Sequence, residues 1–219
     1  MSEEYRPSPP FIVVGAVADG NATAIMSGTV LALNAVGAQL ASSQEEHSVT
    51  LVSPDAGPVI LRCIFDERTE SHVGAEIWVS GDLLGGPLWI ELEPDEIAER
   101  ERIREFVRGA FLSSCDRVRP IFAGVGVEWT VVPPRKLESE GVWLPGDLFW
   151  SSELDEVDPT LAPDLATIYG RPGRAFSHGA LIETGGVLDA DAKPPAQPLA
   201  AGRAAAKRLA RVLAKPISS

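Results

Sequence analysis

The chain has 219 residues, of which 31 are acidic, 19 are basic and 45% are hydrophobic. This composition is typical of globular proteins with a sizeable core, and it excludes fibrous and intrinsically disordered classes. Two cysteines exclude a disulfide scaffold. The start, Met1-Ser2-Glu3-Glu4, has neither the basic residues nor the apolar run of a secretory signal. We therefore expect a cytoplasmic protein, and the abundance of Ala, Gly, Pro and Arg indicates a bacterial one.

Charge is divided unevenly along the chain. The first 192 residues hold all 31 acidic side chains and 13 of the 19 basic ones, a formal charge of −18, whereas residues 193–219 carry six bases and no acid. A body of this charge repels phosphate backbones and anionic membrane surfaces, and it attracts basic proteins. Such acidity is also typical of proteins kept soluble by their net charge. We expect no nucleic-acid binding by the body.

The first elements are a strand and a helix. Residues 11–18 form a short apolar run between turn residues, which predicts a buried strand. Asn21 is a suitable N-cap for a helix over about 21–41, in which apolar residues recur at steps of three and four. This stretch contains no charged residue, but Asn34 and Gln39 favour a buried core helix over a membrane span.

Strands follow in the next segment. The runs 48–52, 58–65 and 72–80 are rich in β-branched residues, and residues 53–57 between the first two are turn formers. This pattern predicts a hairpin followed by a further strand. Residues 88–92 indicate another short strand.

The most regular helical pattern runs over 94–119. Pro94 suits the first turn of a helix, and Asp95 and Glu96 complement the positive end of its dipole. An apolar stripe then recurs at helical spacing until Pro120, which ends the helix.

The pattern in the second half of the body predicts strands and one short helix. The predicted strands are 121–132, 148–150 and 175–184, and the predicted helix is 159–168. Short turns between strands favour antiparallel pairing. We therefore predict a single acidic α+β domain over 1–188, with a mainly antiparallel sheet packed against the helices 21–41 and 94–119.

The C-terminal segment has a different composition. Residues 189–200 are rich in Pro and Ala, which is typical of a linker, and residues 201–215 predict a basic amphipathic helix. Its charged residues include Arg203, Lys207, Arg208 and Arg211. A tethered helix of this kind suits an anionic membrane, nucleic acid, an acidic partner or the acidic body of its own chain. In type, it resembles the tethered terminal helices that direct cargo into bacterial protein compartments.

The sequence predicts no metal or cofactor site. The three histidines lie far apart and the two cysteines are isolated, so neither has metal-ligand spacing. A dense acidic stretch, 153–158, is predicted to be a loop. Its carboxylates suit a basic partner or a hard cation, although the EF-hand spacing is missing. They are Glu153, Asp155, Glu156 and Asp158.

Two other sets of residues are candidates for function. Trp129, Trp143 and Trp150 are close in sequence and suit a pocket or an exposed binding hot spot, although core packing is the ordinary role of tryptophan. His178 is the candidate catalytic residue, with Glu183 or Asp147 as its carboxylate partner. Ser177 precedes it on a predicted strand, so the two side chains are expected to point to opposite faces.

These patterns lead to one main functional hypothesis and two alternatives. The main hypothesis is a non-catalytic binding protein whose acidic body engages a basic protein, as immunity proteins cover basic toxins or as adaptors bind their partners. The first alternative is a hydrolase that uses His178 with nearby carboxylates or a cation held by 153–158. The second is a cargo or assembly component addressed by its C-terminal helix to an acidic partner or shell.

Overall fold

A computed structural model describes residues 7, 10–45, 48–65, 70–81, 83–84, 92–184, 187–188 and 195–215. The predicted strand at 88–92 lies outside these residues except for Leu92, and the predicted linker lies outside them up to residue 194. The strands are β1 (Phe11–Ala18), β2 (Gln39–Glu45), β3 (Ser48–Ser53), β4 (Gly57–Phe65), β5 (Val73–Ser80), β6 (Phe122–Val127), β7 (Asp147–Ser151), β8 (Arg174–Phe176) and β9 (Gly179–Ile182). The α-helices are α1 (Ala22–Ala35), α2 (Pro94–Val118), α3 (Ser152–Val157), α4 (Leu161–Tyr169) and α5 (Pro198–Leu213).

The strands form one sheet in the order β2-β3-β4-β5-β1-β6-β7-β9-β8. Every pairing is antiparallel, so the predicted α+β class with an antiparallel sheet is confirmed. The predicted hairpin is β3 and β4, joined by a turn at 54–56. The N-terminal strand β1 lies in the middle of the sheet, where it pairs with β5 and with β6.

The sheet has a hydrophobic core on each face, because alternate side chains of a strand point to opposite sides. On β7, Phe149 belongs to the core that includes α1 and α2, whereas Leu148 and Trp150 belong to the other core. The second core is completed by apolar residues of α3, α4 and α5.

Helix α1 is shorter than the sequence pattern indicates. The Asn21 side chain caps it as expected, accepting the Ala24 N–H at 2.8 Å. The predicted end near residue 41 is wrong, because the helix stops at Ala35 and residues 39–41 belong to β2. Gly37 adopts a φ of +90°, a conformation that favours glycine and directs the chain out of the helix.

Helix α2 matches its prediction to within one residue. A reciprocal capping box joins Glu93 and Glu96 at its start, where Pro94 occupies the first turn. At the C-terminal end, Arg119 has a left-handed φ of 50° and donates its N–H to the Cys115 carbonyl. These caps satisfy backbone groups that the helix leaves without partners.

Two predicted strands are wrong in extent. The strand predicted over 121–132 ends at Val127, because Glu128 adopts a φ of 49° and its carboxylate accepts the Phe11 N–H at 2.6 Å. The strand predicted over 175–184 is the hairpin of β8 and β9, with Ser177 and His178 in the turn between them. Side chains in this turn do not follow the strand alternation that was expected for them.

Of two further predictions in this region, one is wrong and one is confirmed. The acidic segment 153–158 was predicted to be a loop, but most of it forms α3, whose N-cap Ser151 accepts the Glu153 N–H. The helix predicted over 159–168 is present as α4. Among the described residues, no helix combines the length and apolar character needed to cross a membrane.

Candidate protein-binding surface

Helix α5 lies on the acidic body. Its apolar side, which includes Leu209 and Val212, is buried in the second core together with Leu165 of α4. Gly202 approaches the chain so closely that its carbonyl accepts the Leu144 N–H at 3.1 Å. The sequence leaves several placements open for this helix, and in the structure it packs along the acidic body of its own chain. The helix begins at Pro198 rather than at residue 201, so the predicted linker is shorter than expected.

A network of charged groups joins α5 to the body. The Arg208 guanidinium donates to Asp158 at 2.8 Å and to Asp164 at 2.6 Å, and Lys215 Nζ donates to the same Asp158 oxygen at 2.8 Å. The other Asp158 oxygen accepts the N–H and hydroxyl of Thr160. The hydrogen bond from Lys215, followed by those from Thr160 and Arg208, holds the pKa of the Asp158 carboxyl well below its ordinary value.

The four predicted carboxylates separate into two pairs. Asp158 is only 9% exposed and is bound by α5. Asp155 accepts a hydrogen bond from the indole N–H of Trp150, and burial raises the pKa of its carboxyl against that hydrogen bond. Glu153 and Glu156 are exposed and form no ion pair with a residue that the structure describes. Only the second pair is available to a partner.

The predicted cations of α5 are also divided. Arg208 faces the body, whereas Arg203, Lys207 and Arg211 are exposed and unpaired within the described part of the chain. These three residues are spaced four apart, so they form one line along the helix, about 12 Å long. We call this line the basic row. Beside it, α4 and α5 enclose a groove of 390 Å³ that is lined by Asp164, Thr167, Ile168, Ala204, Lys207, Arg208 and Arg211.

The tryptophan cluster is mostly core. Trp150 is 0% exposed and Trp129 is 4% exposed, so the prediction of a shared surface hot spot is wrong for these two. Trp129 donates its indole N–H to the Trp143 carbonyl at 3.2 Å. Trp143 is half-buried and lines a cavity of 270 Å³, together with Tyr169 and Thr184. It is the member of the cluster that fits the predicted pocket.

This cavity lies beside the point where β7 begins. Pairing between β6 and β7 ends at Val125 and Asp147, whereas β6 continues to Val127, and both Gly126 and Val127 line the cavity. The Tyr169 hydroxyl donates to the Pro145 carbonyl at 3.0 Å, and burial, followed by the nearby Asp147, raises its pKa. The Tyr169 hydroxyl is thereby kept protonated as a structural donor.

The two carboxylates proposed for the hydrolase alternative, Glu183 and Asp147, bond to residues other than His178. Glu183 pairs with Arg174 at 2.8 Å, and Asp147 accepts the Leu188 N–H at 3.2 Å. The His178 carbonyl accepts the Ser152 N–H, and its imidazole forms no hydrogen bond or ion pair with any other described residue. Ser177 is hydrogen-bonded to Asp116 on α2. His178 and its proposed carboxylates are therefore not joined by hydrogen bonds in the described part of the structure.

The other form of the hydrolase alternative, in which residues 153–158 hold a cation, also differs from the structure. Two of its carboxylates are hydrogen-bonded to Trp150, Arg208 and Lys215, as described above. Within the described residues, no group of three or more His, Cys, Asp or Glu side chains is placed to hold a metal ion.

One buried carboxylate, Glu76, is absent from the candidates that the sequence offers. Glu76 on β5 is 0% exposed and accepts the Val131 N–H and the indole N–H of Trp78, each at 2.7 Å. Burial raises the pKa of its carboxyl, and these hydrogen bonds oppose the rise. On the same face, Arg62 stacks on Trp78, and Phe11 packs against that ring. The alternation of side chains along 72–80 could have indicated which face of the strand Glu76 lies on. It could not have indicated that the segment after β6, which includes Val131, covers that face.

Comparison of the chain with protein-family models and with curated proteins gives no match. Its function is therefore inferred from the charge and geometry of its own residues.

Proposed function

We propose that the protein is a non-catalytic binding protein of the bacterial cytoplasm, whose acidic body engages a basic protein in the manner of an immunity protein or an adaptor. The observation that supports this proposal most directly is the pair of exposed carboxylates on α3, Glu153 and Glu156, which have no ion-pair partner among the residues that the structure describes. The −18 charge of residues 1–192 extends the same electrostatic preference over the whole body.

The pair is unfavourable for the isolated fold. Glu153 and Glu156 are three residues apart on a helix of six residues, so their like charges repel by roughly 0.2–0.5 kcal/mol. Glu153 gains from the positive N-terminal end of the helix dipole, but Glu156 lies in the last turn, where a negative charge is disfavoured. Arg or Lys side chains of a partner would relieve this repulsion.

The state of the cysteines supports the proposed compartment. Cys115 is a free thiol, and it is buried in the first core. Burial, with a smaller contribution from Asp116, raises the pKa of the Cys115 thiol, which makes it a poor nucleophile. Free cysteines are typical of proteins that act in a reducing environment.

For α5 we propose a fixed surface rather than an address that is released from the body. Fully burying a side chain such as Leu209 or Val212 contributes roughly 1.5–3 kcal/mol, and both are almost completely buried. Release of the helix would expose these residues and would break the ion pairs of Arg208. An unreleased helix can still present its basic row to an acidic partner or assembly.

The proposal is tested by purifying the full-length protein from its native cells at low ionic strength and identifying co-purifying proteins by mass spectrometry. The wild type is compared with Glu153→Gln/Glu156→Gln and with a matched control, Glu99→Gln/Glu105→Gln, which changes the same charge on exposed positions of α2.

We expect one basic protein to be recovered by the wild type and by the control, and to be lost at high salt and in the α3 variant. The proposal is contradicted if no basic protein is recovered at low salt. It is also contradicted if both variants retain the partner equally.

A further inference from the structure

We propose that the groove between α4 and α5 binds an acidic, amphipathic helical segment of a partner protein, with carboxylates one helical turn apart beside an apolar side chain. This site has the opposite charge preference from the acidic surface of the body. It rests on the role of α5 as a fixed surface proposed above, and it does not depend on the basic partner proposed for the acidic body.

The groove has the shape and the chemistry for such a segment. Its volume of 390 Å³ accommodates one or two side chains rather than a folded domain. Ile168 of α4 is half-buried and Ala204 of α5 is small and exposed, so together they offer an apolar surface. Lys207 and Arg211 lie one turn apart along the same groove. Carboxylates at positions i and i+4 of a docked helix match this spacing.

The cations of the groove are available, although the chain has many carboxylates. Arg208 and Lys215 are neutralised by Asp158 and Asp164. Lys207 and Arg211 have no such partner among the described residues, and Arg203 continues the row by one more turn. The Arg208 and Asp164 pair borders the groove, so an incoming carboxylate is directed away from Asp164 and toward Lys207 and Arg211.

The charge pattern favours an acidic protein segment over a polyphosphate. The basic row spans only about 12 Å, which is close to one Debye length at moderate salt. A nucleic acid or an anionic membrane extends beyond that length and meets the acidic body, which repels it. A short acidic helix stays within the row and also fills the apolar part of the groove, which a phosphate backbone does not.

The experiment measures the binding of a fluorescein-labelled 14-residue peptide to the full-length protein by fluorescence anisotropy at low salt. The peptide is designed as an amphipathic helix with Glu at i and i+4 beside a Leu stripe, and a second peptide has the same composition in scrambled order. A single-stranded oligonucleotide and vesicles containing phosphatidylserine serve as phosphate-bearing probes.

Three variants separate charge from shape. Lys207→Gln/Arg211→Gln removes the cations, and Ala204→Phe fills the groove while it leaves every charge in place. Arg102→Gln/Arg117→Gln is the matched control, because both residues are exposed cations on α2. All these positions are half-buried or exposed, and thermal unfolding confirms that each variant is folded.

We expect the amphipathic peptide to bind more tightly than the scrambled one, and to lose roughly tenfold in affinity in the first variant, as expected for two exposed ion pairs. We expect a similar loss for Ala204→Phe and none for the control. Failure of the peptide to bind the wild type overturns the proposal, as does equal binding by all variants. Tighter binding of the oligonucleotide or the vesicles, lost in the same variants, would reassign the site to phosphate groups and also overturn it.

These outcomes are independent of the test of the acidic surface. Loss of peptide binding in the α5 variants with continued recovery of the basic partner would support both proposals, and each can fail alone.

Discussion

The guanidinium of Arg208 on the last helix lies 2.8 Å from the carboxylate of Asp158, fifty residues earlier in the chain. Both side chains are largely buried, and the same carboxylate also accepts a hydrogen bond from Lys215. The C-terminal helix is therefore attached to the body by directional polar contacts as well as by its apolar side.

Replacing Arg208 is expected to loosen this attachment. Arg208→Met keeps the aliphatic stem but removes the donor that Asp158 and Asp164 share, and losing these charge-assisted hydrogen bonds is destabilising. Asp158 keeps its hydrogen bonds from Lys215 and Thr160, so we expect a moderate effect. We expect the melting temperature to fall by about 2–4 °C. Arg203→Met, at an exposed position of the same helix, is the control and is expected to have almost no effect.

The attachment should also depend on pH. Because the pKa of Asp158 is lowered in the folded state, its contribution is present above the ordinary value of about 3.8 and is lost as the pH falls toward the folded pKa. We expect wild type and Asp158→Asn to differ most near pH 6 and to converge below about pH 4. Urea unfolding of both proteins across this range checks the sign, and a gap that widens toward low pH would contradict it.

Removing the buried carboxylate of Glu76 is expected to be costly. Glu76→Ala leaves the Val131 N–H and the Trp78 indole N–H without their acceptor, at about 1–3 kcal/mol for each unsatisfied group. The Trp78→Phe variant removes only one of the two donors and should cost less. Equilibrium unfolding in urea measures both, and a Glu76→Ala variant as stable as Trp78→Phe would show that the contact to Val131 contributes little.

Two helical glycines should respond in opposite ways to the same substitution. A Cβ on Gly202 of α5 would overlap the Leu144 carbonyl, so Gly202→Ala should destabilise the protein although alanine is the better helix former. A Cβ on Gly28 of α1 would meet Val118 at an ordinary contact distance of 3.5 Å, so Gly28→Ala should stabilise by about 0.5–1 kcal/mol. Differential scanning calorimetry of the two variants tests this difference in sign.

Local patterns were sufficient for elements whose ends carry their own signals. Helix α2 was predicted closely because Pro94 and Pro120 bracket a long apolar stripe. The end of α1 was missed because Leu40 continues the helical spacing of apolar residues, although it already belongs to β2. The turn at Ser177 and His178 was missed because small and apolar residues flank it on both sides.

The candidate surface was less predictable, since it depends on contacts between distant residues. No local pattern indicates which carboxylates Arg208 neutralises and which remain exposed. Trp143 and Trp150 both follow apolar residues along the chain, yet Trp143 lines a cavity and Trp150 is completely buried. The groove residues of α4 were missed because Ile168 has no chemical signature until α5 packs beside it.

The central position of β1 has a consequence for how the protein folds. This strand pairs with β6, so Ile12 must find Val127 before the middle of the sheet is complete. During synthesis, β1 must therefore wait until all the elements between it and β6 have left the ribosome. Pairings of such long range slow folding toward milliseconds to seconds. In that interval β5 is already available to one edge of β1, whereas the edge that pairs with β6 is unpaired, and an unpaired strand edge is a site at which chains aggregate.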